Sequence, residues 1–209
     1  MKSEEFNSIV MIDSYIYNKV KSIYLLFTLI LFAACGAEDS VSTKYRCSFA
    51  FYTQNHPSNS LTTALEGYGT YTIVTTAYIK GNWHVYSTLN DGNNKTEDII
   101  ITAKNEEQMS KLVDVGANNG IILGRTNFNG YVAWDRQCPN CINQYGNPNF
   151  PLEWNKDDRQ AVTCNKCLRT YSLETGNIIN GSDGDRLMQY LVSYSASATG
   201  TGKVIWVYN

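Results

Sequence analysis

The chain is poor in proline, in histidine and in net charge. Of its 209 residues only 4 are Pro and 2 are His, and 17 basic residues stand against 19 acidic ones. The formal net charge of -2 provides no basic surface that would attract DNA or RNA, so we expect no nucleic-acid partner. Long runs of Leu, Ala, Glu and Lys are also absent, which favours strands and turns over long helices.

The signature motifs of several enzyme classes are missing as well. The sequence contains no HExxH, no GxSxG and no glycine-rich phosphate loop, and these are the marks of metalloproteases, serine hydrolases and nucleotide-binding enzymes. Acidic residues such as Asp183 and Asp185 fall in loop-like stretches, where solvated turn residues are ordinary. The pattern therefore favours a binding or scaffold module, or an electron carrier, over an enzyme.

Tyrosine, with 15 residues, and β-branched residues dominate the segments between turns. Residues 70–79 and 83–89 predict two strands of a hairpin, with Gly81-Asn82 as the turn between them. Residues 60–65 predict one helical turn capped by its first residue, and residues 105–115 predict a short helix. With about ten short strands in all, the sequence predicts an all-β fold.

The beginning of the chain has the pattern of a secretory signal peptide. Lys19 and Lys21 precede an apolar run over residues 23–34, which is too short to span a bilayer but fits the hydrophobic part of a signal. Ten residues precede Met11, so translation from Met11 rather than Met1 would give a signal with a conventional short start. The pattern predicts a signal peptide over residues 1–35.

Cys35 follows Ala33-Ala34 and precedes Gly36, and this arrangement resembles the lipobox of bacterial lipoproteins. In such proteins the cysteine is lipidated and becomes the first residue of the mature chain. The resemblance implies lipidation at Cys35, a tether over residues 36–44, one domain over residues 45–209, and a lipid-anchored location in the cell envelope, at the outer membrane. An ordinary signal peptide with an incidental cysteine is the alternative.

Two CxxC pairs carry the clearest chemical signal in the sequence. They are Cys138-Pro-Asn-Cys141 and Cys164-Asn-Lys-Cys167. A CxxC in a tight turn places two sulfurs on one side of the backbone, and two such turns facing each other supply a four-sulfur metal site. The alternative is disulfides. A bond within one pair closes a very short loop that constrains the unfolded chain little, but bonds between the pairs remain open in an oxidising compartment.

Four thiolates suit Zn²⁺, a mononuclear iron or an iron–sulfur cluster. They leave no open position of the kind that catalytic zinc requires, so a structural zinc site is the favoured prediction, with a 2Fe-2S cluster or mononuclear iron as the alternative. The remaining cysteine, Cys47, lies in an alternating, strand-like segment and is predicted to be a small buried apolar residue.

The last ninety or so residues resemble the Rieske ferredoxin domain. Residues 120–141 (GIILGRTNFNGYVAWDRQCPNC) resemble the strand pair that leads into its first ligand loop. Residues 164–182 (CNKCLRTYSLETGNIINGS) resemble its second loop, and the segments around Tyr190 and over residues 203–207 resemble its closing hairpin. The resemblance implies an antiparallel β-sandwich or barrel, with metal-binding loops over residues 137–177.

Several positions depart from the Rieske pattern. A Rieske centre holds its outer iron with two histidines, whereas here each pair ends in a second cysteine. His56 and His84 lie far upstream and are predicted to be surface or packing residues. Leu168 replaces the usual Gly, and residues 180–186 replace the usual proline-containing loop. The two loops resemble instead the knuckles of a zinc ribbon or rubredoxin, which implies a closed four-cysteine site on a Rieske-like scaffold.

Overall fold

The computed structural model describes Lys21, residues 41–102, Lys104, Glu106 and residues 113–196 and 203–209. Residues from Val41 to Asn209 form one compact unit. The predicted signal peptide with Cys35, residues 36–40 of the predicted tether, and most of the helix predicted over residues 105–115 lie outside the described residues.

The described residues contain thirteen strands. In chain order they are β1 (Cys47–Tyr52), β2 (Thr70–Ile79), β3 (Asn82–Leu89), β4 (Thr96–Ile101), β5 (Asp114–Val115), β6 (Ile121–Arg125), β7 (Tyr131–Asp135), β8 (Leu152–Trp154), β9 (Ala161–Cys164), β10 (Thr170–Ser172), β11 (Ile178–Asn180), β12 (Gln189–Ala196) and β13 (Lys203–Tyr208). Two helices of seven residues are α1 (Ser60–Glu66) and α2 (Pro139–Tyr145), and Thr53–Asn55 forms a short 3₁₀ turn.

These strands form two sheets with antiparallel ladders. The large sheet has nine strands in the order β4-β3-β2-β6-β7-β12-β13-β1-β5, and the small sheet has four in the order β11-β10-β9-β8. Neither sheet closes into a barrel among the described strands, because each order runs from one edge strand to another. The predicted all-β, sandwich-like fold is confirmed.

The β2–β3 hairpin shows how the sequence dictates the large sheet. Ile79 pairs with Asn82, so the two-residue turn is Lys80-Gly81 rather than the predicted Gly81-Asn82. Both turn residues have positive φ, 50° at Lys80 and 90° at Gly81. This turn geometry matches the right-handed twist of the paired strands.

Three local predictions need correction. The cap of α1 is Asn59, not Ser60, because the Asn59 Oδ1 accepts the Thr62 backbone N–H at 2.9 Å. The helix predicted over residues 105–115 does not reach its predicted end, since Asp114 and Val115 form a strand that pairs with β1. α2 was not predicted, since the first CxxC was expected to form a tight turn rather than the start of a helix.

The alternation of side chains along the strands builds two separate cores. In β6, Ile121 and Leu123 enter the first core, on one face of the large sheet, while Ile122 enters the second core. The second core, between the large and small sheets, also contains Trp134. Three of the four CxxC cysteines belong to this second core: Cys138, Cys141 and Cys164.

Candidate metal centre

Two adjacent loops bring the CxxC pairs together. The first pair follows β7: Cys138 is the N-cap residue of α2, Pro139 begins the helix, and Cys141 lies in its first turn. Proline suits this position because the first helical N–H needs no intrahelical partner. The second pair spans the β9–β10 hairpin, with Cys164 at the end of β9 and Cys167 in the turn.

The four sulfurs lie close enough together to surround one ion. Their Sγ atoms all lie within 4.8 Å of one another. The Sγ atoms of Cys138 and Cys167 are 3.6 Å apart, and so are those of Cys141 and Cys164. A tetrahedral ion with bonds of about 2.3 Å to sulfur requires edges of about 3.8 Å. The four cysteines could therefore hold one metal ion.

The described cysteines form no disulfide. All five of them, the four of the CxxC pairs and Cys47, are free thiols, and a disulfide would bring two sulfurs to about 2.05 Å. Two sulfur–sulfur contacts of 3.6 Å join one loop to the other. A shared ion would thus add a bridge between the two loops.

Backbone N–H groups act on the first sulfur of each pair. The Cys141 N–H acts to lower the pKa of Cys138, and the N–H groups of Lys166 and Cys167 act to lower the pKa of Cys164. Leu168, with φ of 60°, closes the second turn with a 2.8 Å bond from its N–H to the Cys164 carbonyl oxygen. Donors aimed at sulfur favour the thiolate form, which is the form that binds metal.

Tyr171 adds a side-chain donor to the same site. Its Oη lies 3.3 Å from the Cys138 Sγ. The Asn140 amide donates to that Oη at 2.9 Å, which leaves the hydroxyl proton free to point at the sulfur. Asn140 also donates to the Asp185 carbonyl oxygen at 2.8 Å and accepts from its N–H at 2.9 Å. The backbone of Asp185 therefore fixes, through Asn140, the donor that contacts the sulfur.

The cysteines differ in exposure and in acidity. Cys138, Cys141 and Cys164 are at most 1% exposed, whereas Cys167 is partly exposed. Interaction between the two sulfurs raises the pKa of Cys138 and lowers the pKa of Cys164. Burial raises the pKa of Cys141 to about 12. One thiolate thus forms readily, and a bound cation would supply the charge that the other thiols need in order to ionise.

A buried tryptophan shares the second core with three of the cysteines. Trp134 is 1% exposed, and its Nε1 donates to the Leu173 carbonyl oxygen at 3.0 Å. Gly176 has φ of 75° and lies against the Trp134 ring, where a Cβ would come within 2.9 Å of two ring carbons. Leu173 and Gly176 therefore hold the Trp134 ring in the second core, to which Cys138, Cys141 and Cys164 also belong.

Asp135 was missed in the sequence, although it organises the first loop. Its Oδ1 accepts the Gln137 N–H at 2.7 Å. Its Oδ2 accepts the Ala117 N–H at 2.7 Å and the Tyr190 hydroxyl at 2.6 Å. The Gln137 side chain in turn accepts the Phe150 N–H at 2.7 Å. Burial raises the pKa of Asp135 to about 6, against the lowering effect of these donors. The only feature of the sequence that could have indicated this role is the position of the Asp, three residues before Cys138.

The histidines and the fifth described cysteine lie outside the four-cysteine group. His56 Nε2 lies 3.3 Å from Glu106 Oε2, and His84 Nδ1 lies 2.8 Å from Asp98 Oδ1. Cys47 is 2% exposed in the first core, and burial raises the pKa of its thiol to about 12. His56 and His84 therefore each have a carboxylate partner, and Cys47 has a packing role in the first core.

The structure shows an all-β chain that brings two short loops together around four sulfurs. The second loop belongs to the small sheet, and the segment that leads into the first loop is joined to β8 of that sheet by a 2.7 Å bond from the Leu152 N–H to the Arg136 carbonyl oxygen. In comparisons with known proteins, no family model, no curated protein and no solved structure matches the chain.

Proposed function

We propose that this protein is a metal-binding module whose four cysteines hold a single structural zinc ion. The arrangement of the sulfurs carries the proposal, since all four Sγ atoms lie within 4.8 Å of one another. A 2Fe-2S cluster bound by four cysteines has two thiolates on each iron, and thiolates on different irons lie farther apart than one tetrahedron's edge. The spacing thus favours one ion over two.

A structural role follows from the closed coordination shell. Four thiolates occupy every position of a tetrahedral ion, so neither water nor substrate has a place on it. The strands that carry the loops are short, with four residues in β9 and three in β10. Because such a small sheet buries little by itself, the ion contributes folding free energy to it directly.

The proposed setting is the cell envelope, and it rests on the sequence pattern that ends at Cys35. In the described part of the chain, no helix has the length and apolar character needed to cross a membrane. A lipid on Cys35 would supply the membrane attachment. Metabolic labelling with a fatty acid should mark the wild-type chain and not a Cys35→Ala variant, and labelling of the variant would refute the anchor.

One observation supports a second candidate, a mononuclear iron site that transfers electrons. Cys167 is partly exposed, and the neighbouring Leu168 is 70% exposed. A ligand at the surface beside an apolar contact would give electrons a short path to a redox partner. This function keeps the same four ligands and changes only the ion.

Metal analysis of the purified full chain, combined with its absorption spectrum, tests the proposal. Zinc is d¹⁰ and colourless, so we expect one zinc per chain and no absorption above about 300 nm. Strong visible bands that bleach reversibly on reduction would instead establish the iron site.

Two variants complete the test. Cys141→Ser should lose the ion, because it removes one of four ligands. Cys47→Ser is the matched control: it changes a buried cysteine of the first core and should keep one ion per chain. Equal metal content in both variants would contradict the four-cysteine site.

A further inference from the structure

A trough lies on the second-core face of the large sheet, beside β8, an edge strand of the small sheet. It consists of two cavities of about 340 and 400 Å³ that share Trp154, Asn94 and Lys156 in their linings. The first cavity extends over Tyr86 of β3, and the second extends toward Arg159. Each volume lies at the small end of the range for ligand pockets, and together they form an elongated site with an indole in the middle.

The trough is more basic than the chain as a whole. Its linings include three cations, Arg136, Lys156 and Arg159, against one acid, Glu153, on a chain whose formal net charge is -2. Glu153 accepts the Asn165 amide at 2.8 Å through its Oε2, and its charge acts on Arg136. Arg159 lies near Asp91 and is partly balanced by it.

Arg136 is the cation that the fold holds most firmly. Its stem packs on Gly120, where a Cβ would come within 3.0 Å of two Arg136 side-chain carbons. Its Nε donates to the Leu152 carbonyl oxygen at 3.4 Å. Among the described residues, Arg136 forms no ion pair and its terminal nitrogens have no hydrogen-bond partner. Glu153 acts on Arg136 through its charge but forms no ion pair with it. A half-buried guanidinium in a fixed position, with no carboxylate bound to it, is preorganised for a carboxylate ligand.

The rest of the lining suits rings that carry hydroxyl groups. Trp154 and Tyr86 offer aromatic surface, and Thr75 and Asn94 offer neutral hydrogen-bonding groups. Cations lie in both cavities, so a ligand that spans them should carry a carboxylate on each side of Trp154. We propose that this trough binds an acidic oligosaccharide, a chain of sugar rings with carboxylates on successive units.

Titration of the metal-loaded full chain in mild detergent tests this site. The probes are an oligogalacturonate of three or four units and a neutral glucose oligomer of the same length. At low salt, where charge attraction is little screened, we expect the acidic oligomer to bind at least about tenfold more tightly than the neutral one. The difference should shrink as salt rises from about 20 to 200 mM. Equal binding of both oligomers, or no binding of the acidic one at about 1 mM, would overturn the proposal.

Variants locate the binding on the molecule. Lys156→Gln and Arg136→Gln should each weaken acidic-oligomer binding about five- to tenfold, and Trp154→Ala should weaken it at least as much. If Arg136→Gln fails to fold, Lys156→Gln still tests the site. Lys156 has no partner among the described residues, so its substitution breaks no contact that supports the fold. Lys203→Gln removes an exposed charge from β13 and should bind as the wild type does. A loss in Lys203→Gln equal to that in Lys156→Gln would show diffuse attraction and refute the site.

Discussion

The two sheets reach stability in different ways. In the large sheet β2 has ten residues, and its hairpin with β3 pairs eight residues of each strand. In the small sheet β8 pairs with β9 over three residues, and so does β10. The first core contains one cysteine, Cys47, whereas the second contains three of the CxxC cysteines. On the proposed function, long ladders and apolar burial stabilise the first sheet, while the second gains stability from the ion that its sulfurs would hold.

The contrast is useful because the sheets share one compact unit. Trp134 and Ile122 extend from the large sheet into the second core, beside Cys138 and Leu173. Loss of an ion should therefore loosen one face of the large sheet without unpairing its strands. We make four predictions, in order of decreasing effect. Their outcomes will show whether the two sheets lose stability independently or as one cooperative unit.

Removal of the metal should produce the largest effect. Cys141→Ser, or chelation of the wild type, should lower the free energy of unfolding by at least about 4 kcal/mol, because structural zinc sites supply folding energy directly. Amide hydrogen exchange should accelerate in β9 and β10 while β2 and β3 stay protected. Uniform loss of protection in both sheets would show that the ion supports the whole unit.

The second prediction concerns a substitution that destabilises the large sheet and leaves the four cysteines unchanged. A Cβ at Gly124, on β6, would collide with the Thr70 carbonyl oxygen and the Tyr71 side chain. Gly124→Ala should therefore cost about 1–3 kcal/mol through overpacking, as measured by chemical denaturation. The metal content per folded chain should equal that of the wild type. A fall in metal content that parallels the loss of stability would contradict the prediction that the metal centre is independent of the large sheet.

Asp135 should make the link between the sheets sensitive to pH. Burial raises its pKa to about 6, so the folded state holds the proton more tightly than the unfolded state does. Its stabilising contribution is then fully present below about pH 4 and is lost as the pH rises through about 6, by up to about 3 kcal/mol. We expect the unfolding free energy of the wild type, relative to Asp135→Asn, to decline over this range. A constant difference between the two would contradict the raised pKa.

Tyr171→Phe should have the smallest effect on the free energy of unfolding, but it should weaken metal binding. It removes the hydroxyl that lies 3.3 Å from the Cys138 sulfur and keeps the ring in the core. Loss of such a supporting donor typically weakens metal binding by about 10-fold or more, and competition with a chromophoric chelator would measure this. Tyr86→Phe, a hydroxyl loss on β3, is the control and should leave metal affinity unchanged.

The sequence predicted those features that depend on local pattern. Alternating residues gave the β2–β3 hairpin, although the turn lies one residue earlier than expected. The CxxC spacing indicated which cysteines belong together, and the structure brings these four within 4.8 Å. Both signals are local, since a strand's faces and a knuckle's two sulfurs are set within a few residues.

Features that depend on distant partners were not predictable in this way. Asp135 acquires its role from Tyr190, which lies 55 positions later in the chain. β5 is a strand because two residues pair with β1, a contact that no periodicity reveals. α2 is only seven residues long and begins at Pro139 directly after a ligand cysteine, so the turn and the helix start share the same sequence signature.

X-ray absorption at the metal edge of the purified full chain tests the central claim most directly. One structural ion held by Cys138, Cys141, Cys164 and Cys167 predicts a zinc edge and a single shell of four sulfur atoms at about 2.3 Å, with no metal–metal scattering. A second metal atom in the scattering, or a shell that contains nitrogen or oxygen, would contradict the account of one ion in a closed four-thiolate site.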